Sequence, residues 1–216
     1  MIRLAIFDLD GTLLNTIDDL AQAGNHALGL RGFPTHSHDA YKFFVGDGVY
    51  KLIERMTPVQ YQDDTNLLAQ IKADFDDYYA AHSEDLTAPY EGVLELLRAL
   101  KERGVTAAVL SNKPHEFTSA LCAKIFGDLL AIAHGQRQGY PRKPDRVLID
   151  EILSMTGVSA DECIYTGDSG VDMLTAKNAG VFAIGALWGF RPREELEQCG
   201  ADVLACSPME ILQFIR

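Results

Sequence analysis

Long apolar runs are missing from this 216-residue chain. None approaches the roughly 20 residues that a membrane-crossing helix needs, so no membrane partner is expected. Positive charge is scarce: 19 Lys and Arg face 31 Asp and Glu, a formal net charge of -12. A surface this acidic repels phosphate backbones and anionic lipid, which argues against nucleic acid as a partner. A small anionic ligand stays open, because a local pocket can carry the opposite sign. The four cysteines, Cys122, Cys163, Cys199 and Cys206, form no CxxC pair and sit in no His-rich cluster. Zinc binding and thiol redox chemistry are therefore disfavoured, and structural thiols in a reducing compartment are expected. The opening residues Met1 to Asp8 run directly into an apolar strand pattern and leave no room for a signal peptide, so a cytoplasmic location is expected. The lone Trp188 and the scattered aromatics fit core and interface equally, which leaves monomer and homodimer both open.

What the chain does have is alternation. Short apolar runs at Leu4–Phe7, Val105–Leu110, Ala131–Ala133, Cys163–Tyr165, Val181–Ile184 and, more weakly, Asp202–Ala205 alternate with amphipathic stretches. Continuous apolar character suits strands covered on both faces, and the alternation predicts an α/β fold with a Rossmann-like, doubly wound parallel sheet. Val93, Leu96, Leu97 and Leu100 repeat at helical spacing before Gly104, and Val147, Leu148, Ile152 and Leu153 do so before Gly157. Residues 15–82 break the alternation with helical patterns and no convincing strand. Thr16 with Asp19 reads as a capping box, Gly46-Asp47-Gly48 precedes a helix carrying Leu52, Ile53 and Met56, and Leu67 to Tyr79 mark a third. This segment is expected to be an inserted helical cap domain, with 1–14 and 83–216 forming the catalytic core.

Four polar clusters fall at strand ends, where open α/β sheets bind ligands. Asp8-Leu-Asp-Gly-Thr12 follows the first strand and places two carboxylates at that edge, although turns are rich in Asp in any case. Ser111-Asn112-Lys113 precedes a helix from about His115, so a hydroxyl, an amide and a helix N-terminus could cradle phosphate or simply cap the helix. Lys143-Pro144 follows a turn-rich stretch and can aim an ammonium into a cleft. Gly167-Asp-Ser-Gly-Val-Asp172 puts Asp168 and Asp172 on one side of a helical turn, as a hard, oxygen-seeking cation requires.

In this order, DxDGT, S-N, K-P and GDSxxD resemble the motif series of the haloacid dehalogenase superfamily, over the span from Asp8 to Asp172. Phe44-Val-Gly-Asp-Gly48, Ser111-Asn-Lys-Pro114, Gly135-Gln136 and Pro141-Arg-Lys-Pro144 look most like its phosphoglycolate phosphatases. The resemblance implies a small phosphorylated metabolite as partner and Mg²⁺ as cofactor, held by Asp8, the Asp10 backbone carbonyl and Asp168, with Asp172 holding a metal-bound water. It implies Asp8 as nucleophile, Asp10 as general acid and base with a raised pKa, and Ser111, Asn112 and Lys143 as phosphate-binding groups. Gly46, Lys51, Arg55 and Lys113 are candidates for the leaving-group end. Sugar-phosphate mutases of the superfamily usually carry an Arg where Val49 stands, which weakens that alternative. Nucleotidases and pyrophosphatases share every core motif. A binding protein on a decayed scaffold would have lost the carboxylates present here.

Overall fold

Leu4-Ala-Ile-Phe7, the first strand β1, is buried at every position because it lies in the middle of a sheet covered on both faces. The computed structural model describes residues 1–215 and divides them into two compact units, 1–14 with 89–215, and 15–88. The second unit contains helices α1 (Ile17–Gly29), α2 (His38–Phe44), α3 (Val49–Met56) and α4 (Thr65–His82). Within it α1 packs on α2 and α4, and α3 on α2 and α4, around Leu28, Tyr41, Ile53, Met56 and Ile71.

The expected capping box at α1 does not form. Thr16 has φ -104° and ψ 1°, outside the extended geometry an N-cap needs, and its Oγ1 is buried without a partner among the described residues. Asp19 turns its carboxylate elsewhere, accepting hydrogen bonds from the backbone N–H of Leu86 at 3.0 and 3.1 Å and of Thr87 at 2.8 Å. These bonds tie the segment after α4 to α1 within the unit 15–88.

The larger unit continues through α5 (Val93–Glu102), β2 (Thr106–Pro114), α6 (His115–Phe126), β3 (Ile132–Gln136), α7 (Val147–Thr156), β4 (Cys163–Gly167), α8 (Gly170–Ala179), β5 (Phe182–Ala186), α9 (Arg193–Gln198) and β6 (Val203–Ala205). Its sheet has the order β3-β2-β1-β4-β5-β6, with parallel pairing throughout. Strand periodicity splits the core in two. Ala5 and Phe7 face a cluster with Leu96, Leu97, Leu100, Leu121 and Phe126 from α5 and α6. Leu4 and Ile6 face Leu148, Ile149, Ile152, Met173 and Ala176 from α7 and α8. Helices thus cover both faces, the doubly wound arrangement expected. The strand order reverses between β1 and β4, and in such sheets the crevice at the carboxyl ends of those strands is the natural ligand position. β2 runs through Pro114, past the Leu110 expected, with its register to β3 shifted between Leu110 and Pro114. Ser111, Asn112 and Lys113 therefore lie on an irregular strand end and not on the first turn of α6.

Candidate active site

Asp8 leaves β1 at the reversal point, and its backbone N–H donates to Thr166 of β4 at 2.9 Å. Lys143 reaches it from the loop before α7, with Nζ 2.9 Å from Asp8 Oδ1 and 2.7 Å from Asp172 Oδ1. Tyr165 of β4 accepts from Lys143 Nζ at 3.2 Å and donates to Asp172 at 3.0 Å. The other oxygen of Asp172 accepts from the N–H and hydroxyl of Ser169, so both its oxygens are engaged. Burial alone would depress the Lys143 ammonium, but Asp172 and Asp8 outweigh it and hold its pKa well above the ordinary value. Burial, then the charge of Asp172, pushes Asp8 up to about 7. Asp168 is driven well above its usual range by burial first, then by Asp172 and Asp8. A cleft that raises its own carboxyls this way is short of positive charge.

Asp168 is fixed through both oxygens. Thr12 donates its hydroxyl to Oδ1 at 3.0 Å, and the Phe190 N–H donates to Oδ2 at 2.7 Å. Trp188 in the same β5–α9 loop donates its indole N–H to the Thr12 carbonyl at 2.9 Å. Two glycines permit this approach. A Cβ on Gly11, whose φ is +83°, would stand 2.3 Å from Asp168 Oδ2, and one on Gly189 would stand 2.2 Å from the Asp168 Cβ. The sequence reading missed this loop; its available signal was a Trp-Gly pair just beyond a strand end.

Asn112, expected in the phosphate cradle, grips the backbone of Lys143: its Oδ1 accepts from the N–H at 2.9 Å and its Nδ2 donates to the carbonyl at 3.4 Å. Ser111 is buried beside it, and its hydroxyl accepts from the Lys113 N–H at 3.3 Å. Lys113 meets Asp10, with Nζ 3.1 and 3.4 Å from the two carboxylate oxygens. Asp10 thus has charge neighbours of both signs: the Lys113 ammonium bonds its carboxylate, and its own charge is felt at Asp8. In the helical unit, Gly46 has φ +120°, Lys51 pairs with Glu54 at 2.7 Å, and Arg55 pairs with Asp47 and donates to the Phe44 carbonyl.

Asp8, Asp168 and Asp172, all buried, offer oxygens that lie within 4.8 Å of one another. A set of hard oxygen donors with unbalanced negative charge fits a divalent cation of the Mg²⁺ type. The family profile for haloacid dehalogenase-like hydrolases matches residues 5–186. The chain belongs to that family. Phosphoglycolate phosphatase of Vibrio parahaemolyticus is 33% identical over 99% of this chain and 96% of its own length, and that of Pseudomonas putida is 35% identical over 99% and 77%. A crystal structure from Lactobacillus delbrueckii subsp. bulgaricus, named provisionally as a phosphoglycolate phosphatase, superposes with a TM-score of 0.91 at 31% identity, covering 99% of this chain and 98% of that one. A haloacid dehalogenase-like hydrolase from Streptococcus pneumoniae shares the fold, with a TM-score of 0.89 at 20% identity over 100% and 99%. The chain is therefore a haloacid dehalogenase-like phosphatase, a phosphoric monoester hydrolase. No helix among the described residues is long and apolar enough to cross a membrane.

Proposed function

We propose that this chain hydrolyses phosphoglycolate, a small phosphomonoester, through an aspartyl-phosphate on Asp8. The observation that carries the reading is the buried Asp8–Lys143 pair at the carboxyl end of β1, beside Asp168 and Asp172. Asp8 and Asp168, with the Asp10 backbone carbonyl, would hold Mg²⁺. Asp172, already bonded to Lys143, Tyr165 and Ser169, suits an outer position. When bound, the ion supplies the positive charge the cleft lacks, which favours an ionised Asp8 and offsets repulsion between carboxylate and phosphate dianion.

An Asp8 oxygen attacks phosphorus, the bond to the ester oxygen breaks, and Asp10 gives that oxygen its proton. Asp10 then takes a proton from water, whose oxygen attacks the same phosphorus, freeing Asp8 and inorganic phosphate. Lys143 faces the charge that develops on the phosphoryl oxygens, and Asn112 keeps Lys143 aimed. Ser111 hydrogen-bonds a phosphoryl oxygen. The helical unit, which follows Asp8–Thr12 in the sequence, is proposed as the cap domain of this hydrolase. The four free thiols fit a cytoplasmic location.

The test is phosphate release from phosphoglycolate, other small phosphomonoesters, pyrophosphate and nucleotides with Mg²⁺ present. Phosphoglycolate is expected to give the highest kcat/KM, and both Asp8→Asn and a chelator are expected to abolish turnover. Preference for a nucleotide or pyrophosphate would overturn the substrate, and full activity of Asp8→Asn would overturn the nucleophile.

A further inference from the structure

Lys113, one of the candidates for the leaving-group end, is buried against Asp10. Its side chain is 3% exposed and that of its partner Asp10 11%, a burial that lysine adopts only when paired. The backbone around it is fixed on both sides: its N–H donates to the Ser111 hydroxyl at 3.3 Å, and its carbonyl accepts from the Thr118 hydroxyl at 3.3 Å. The ammonium is therefore presented from a rigid strand end, the kind of preorganised support a recognition group needs.

Its position matters because of what Asp10 must touch. On the reading proposed above, Asp10 hydrogen-bonds the ester oxygen of the leaving group, at roughly 2.6–3.2 Å. A cation 3.1 Å from Asp10 then lies beside whatever the leaving group carries next to that oxygen. In phosphoglycolate the carboxylate carbon is two bonds from the ester oxygen. The other buried lysine, Lys143, already faces Asp8 and Asp172 at the phosphoryl end. In the helical unit Lys51 is half exposed and pairs with Glu54, while Arg55 is bound to Asp47 and to the Phe44 carbonyl.

We infer that Lys113 is the specificity-determining residue, moving its ammonium from Asp10 towards the substrate carboxylate and thereby selecting phosphomonoesters whose leaving group is a 2-hydroxy acid. The inference rests on the phosphoglycolate reading and deepens it. It separates two jobs that adjacent residues could share: Ser111 serves the phosphoryl end and Lys113 the leaving-group end of one strand.

The experiment compares kcat/KM for phosphoglycolate and for ethyl phosphate, in which a methyl group replaces the carboxylate, in the wild type and in Lys113→Met, with Mg²⁺ saturating. Any loss of Asp10 positioning affects both substrates and cancels in the ratio. The wild type is expected to prefer phosphoglycolate, and Lys113→Met to reduce that preference roughly 10- to 100-fold, the range of a charge-assisted hydrogen bond. Competitive inhibition by glycolate is expected to weaken in parallel, and Lys113→Gln serves equally where the Met variant does not fold. If both substrates lose the same factor and glycolate inhibition is unchanged, Lys113 serves Asp10 alone and the inference falls while the substrate reading stands. If the wild type shows no preference for phosphoglycolate, the substrate reading itself falls, and the inference with it.

Discussion

Burial holds the Asp8 carboxyl near about 7 and Asp168 well above its usual range, so each carboxyl is more easily protonated in the fold than in the unfolded chain. For Asp8 the stabilisation from the neutral form is complete below its unfolded value of 3.8 and is lost as pH rises towards 7. Metal-free protein is accordingly expected to melt several degrees lower near pH 8 than near pH 5, and Mg²⁺ to recover the difference near pH 8, as differential scanning calorimetry would show. A melting point that rises from pH 5 to 8 without metal would contradict the assignment. Asp8, Lys143 and Asp168 could be picked out in the sequence because each follows a strand or turn that a reader can recognise. Asn112 and Lys113 could be picked out as residues but not as partners. Their bonds reach Lys143, 31 positions later, and Asp10, 103 positions earlier, and no local pattern encodes such a reach.

The β5–α9 loop is the element that the sequence concealed most. Trp188 fitted core or interface equally in the sequence; in the fold its ring packs at the edge of the apolar cluster containing Phe7 while its N–H holds the Thr12 carbonyl. Trp188→Phe keeps the packing and removes one neutral hydrogen bond, worth about 0.5–1.5 kcal/mol. Mg²⁺ affinity is expected to fall roughly 2- to 10-fold by isothermal titration calorimetry, with secondary structure unchanged. Unaltered affinity would show that the Trp188 bond to Thr12 does not contribute to positioning Asp168. The strands were readable because buried parallel strands are continuous apolar runs, as Leu4–Phe7 and Cys163–Tyr165 are. The polar end of β2 was not, since Ser111 to Pro114 look like a loop until they are paired. The short helices α2 and α9 escaped for a similar reason: each buries a single residue, Tyr41 or Leu196, and leaves no apolar stripe to see.

The proposed ion site draws all its residues from the larger unit, although the chain departs for the helical unit between Thr12 and the next motif. Mg²⁺ is therefore expected to slow hydrogen exchange at the amides of Leu9, which bonds to Asp8, and of Phe190, which bonds to Asp168, well before it affects the middle of α4. Equal protection of α4 would mean that the ion acts on the whole molecule and not on the cleft. The helical character of residues 15–82 was legible in the sequence as a break in βα alternation. The bonds from Leu86 and Thr87 to Asp19 were not, because a helix-capping pattern at Thr16 conceals them.

The indole of Trp188 has a consequence beyond mechanics. It is the chain's one tryptophan, and a path of two hydrogen bonds and a single residue, Thr12, separates it from the carboxylate of Asp168. An ultraviolet emission spectrum of the unmodified protein thus carries a chromophore hydrogen-bonded, through Thr12, to a carboxylate of the proposed ion site. Mg²⁺ binding there is expected to change that emission in real time, with no dye, label or coupled assay, and emission unchanged by saturating Mg²⁺ would speak against the site.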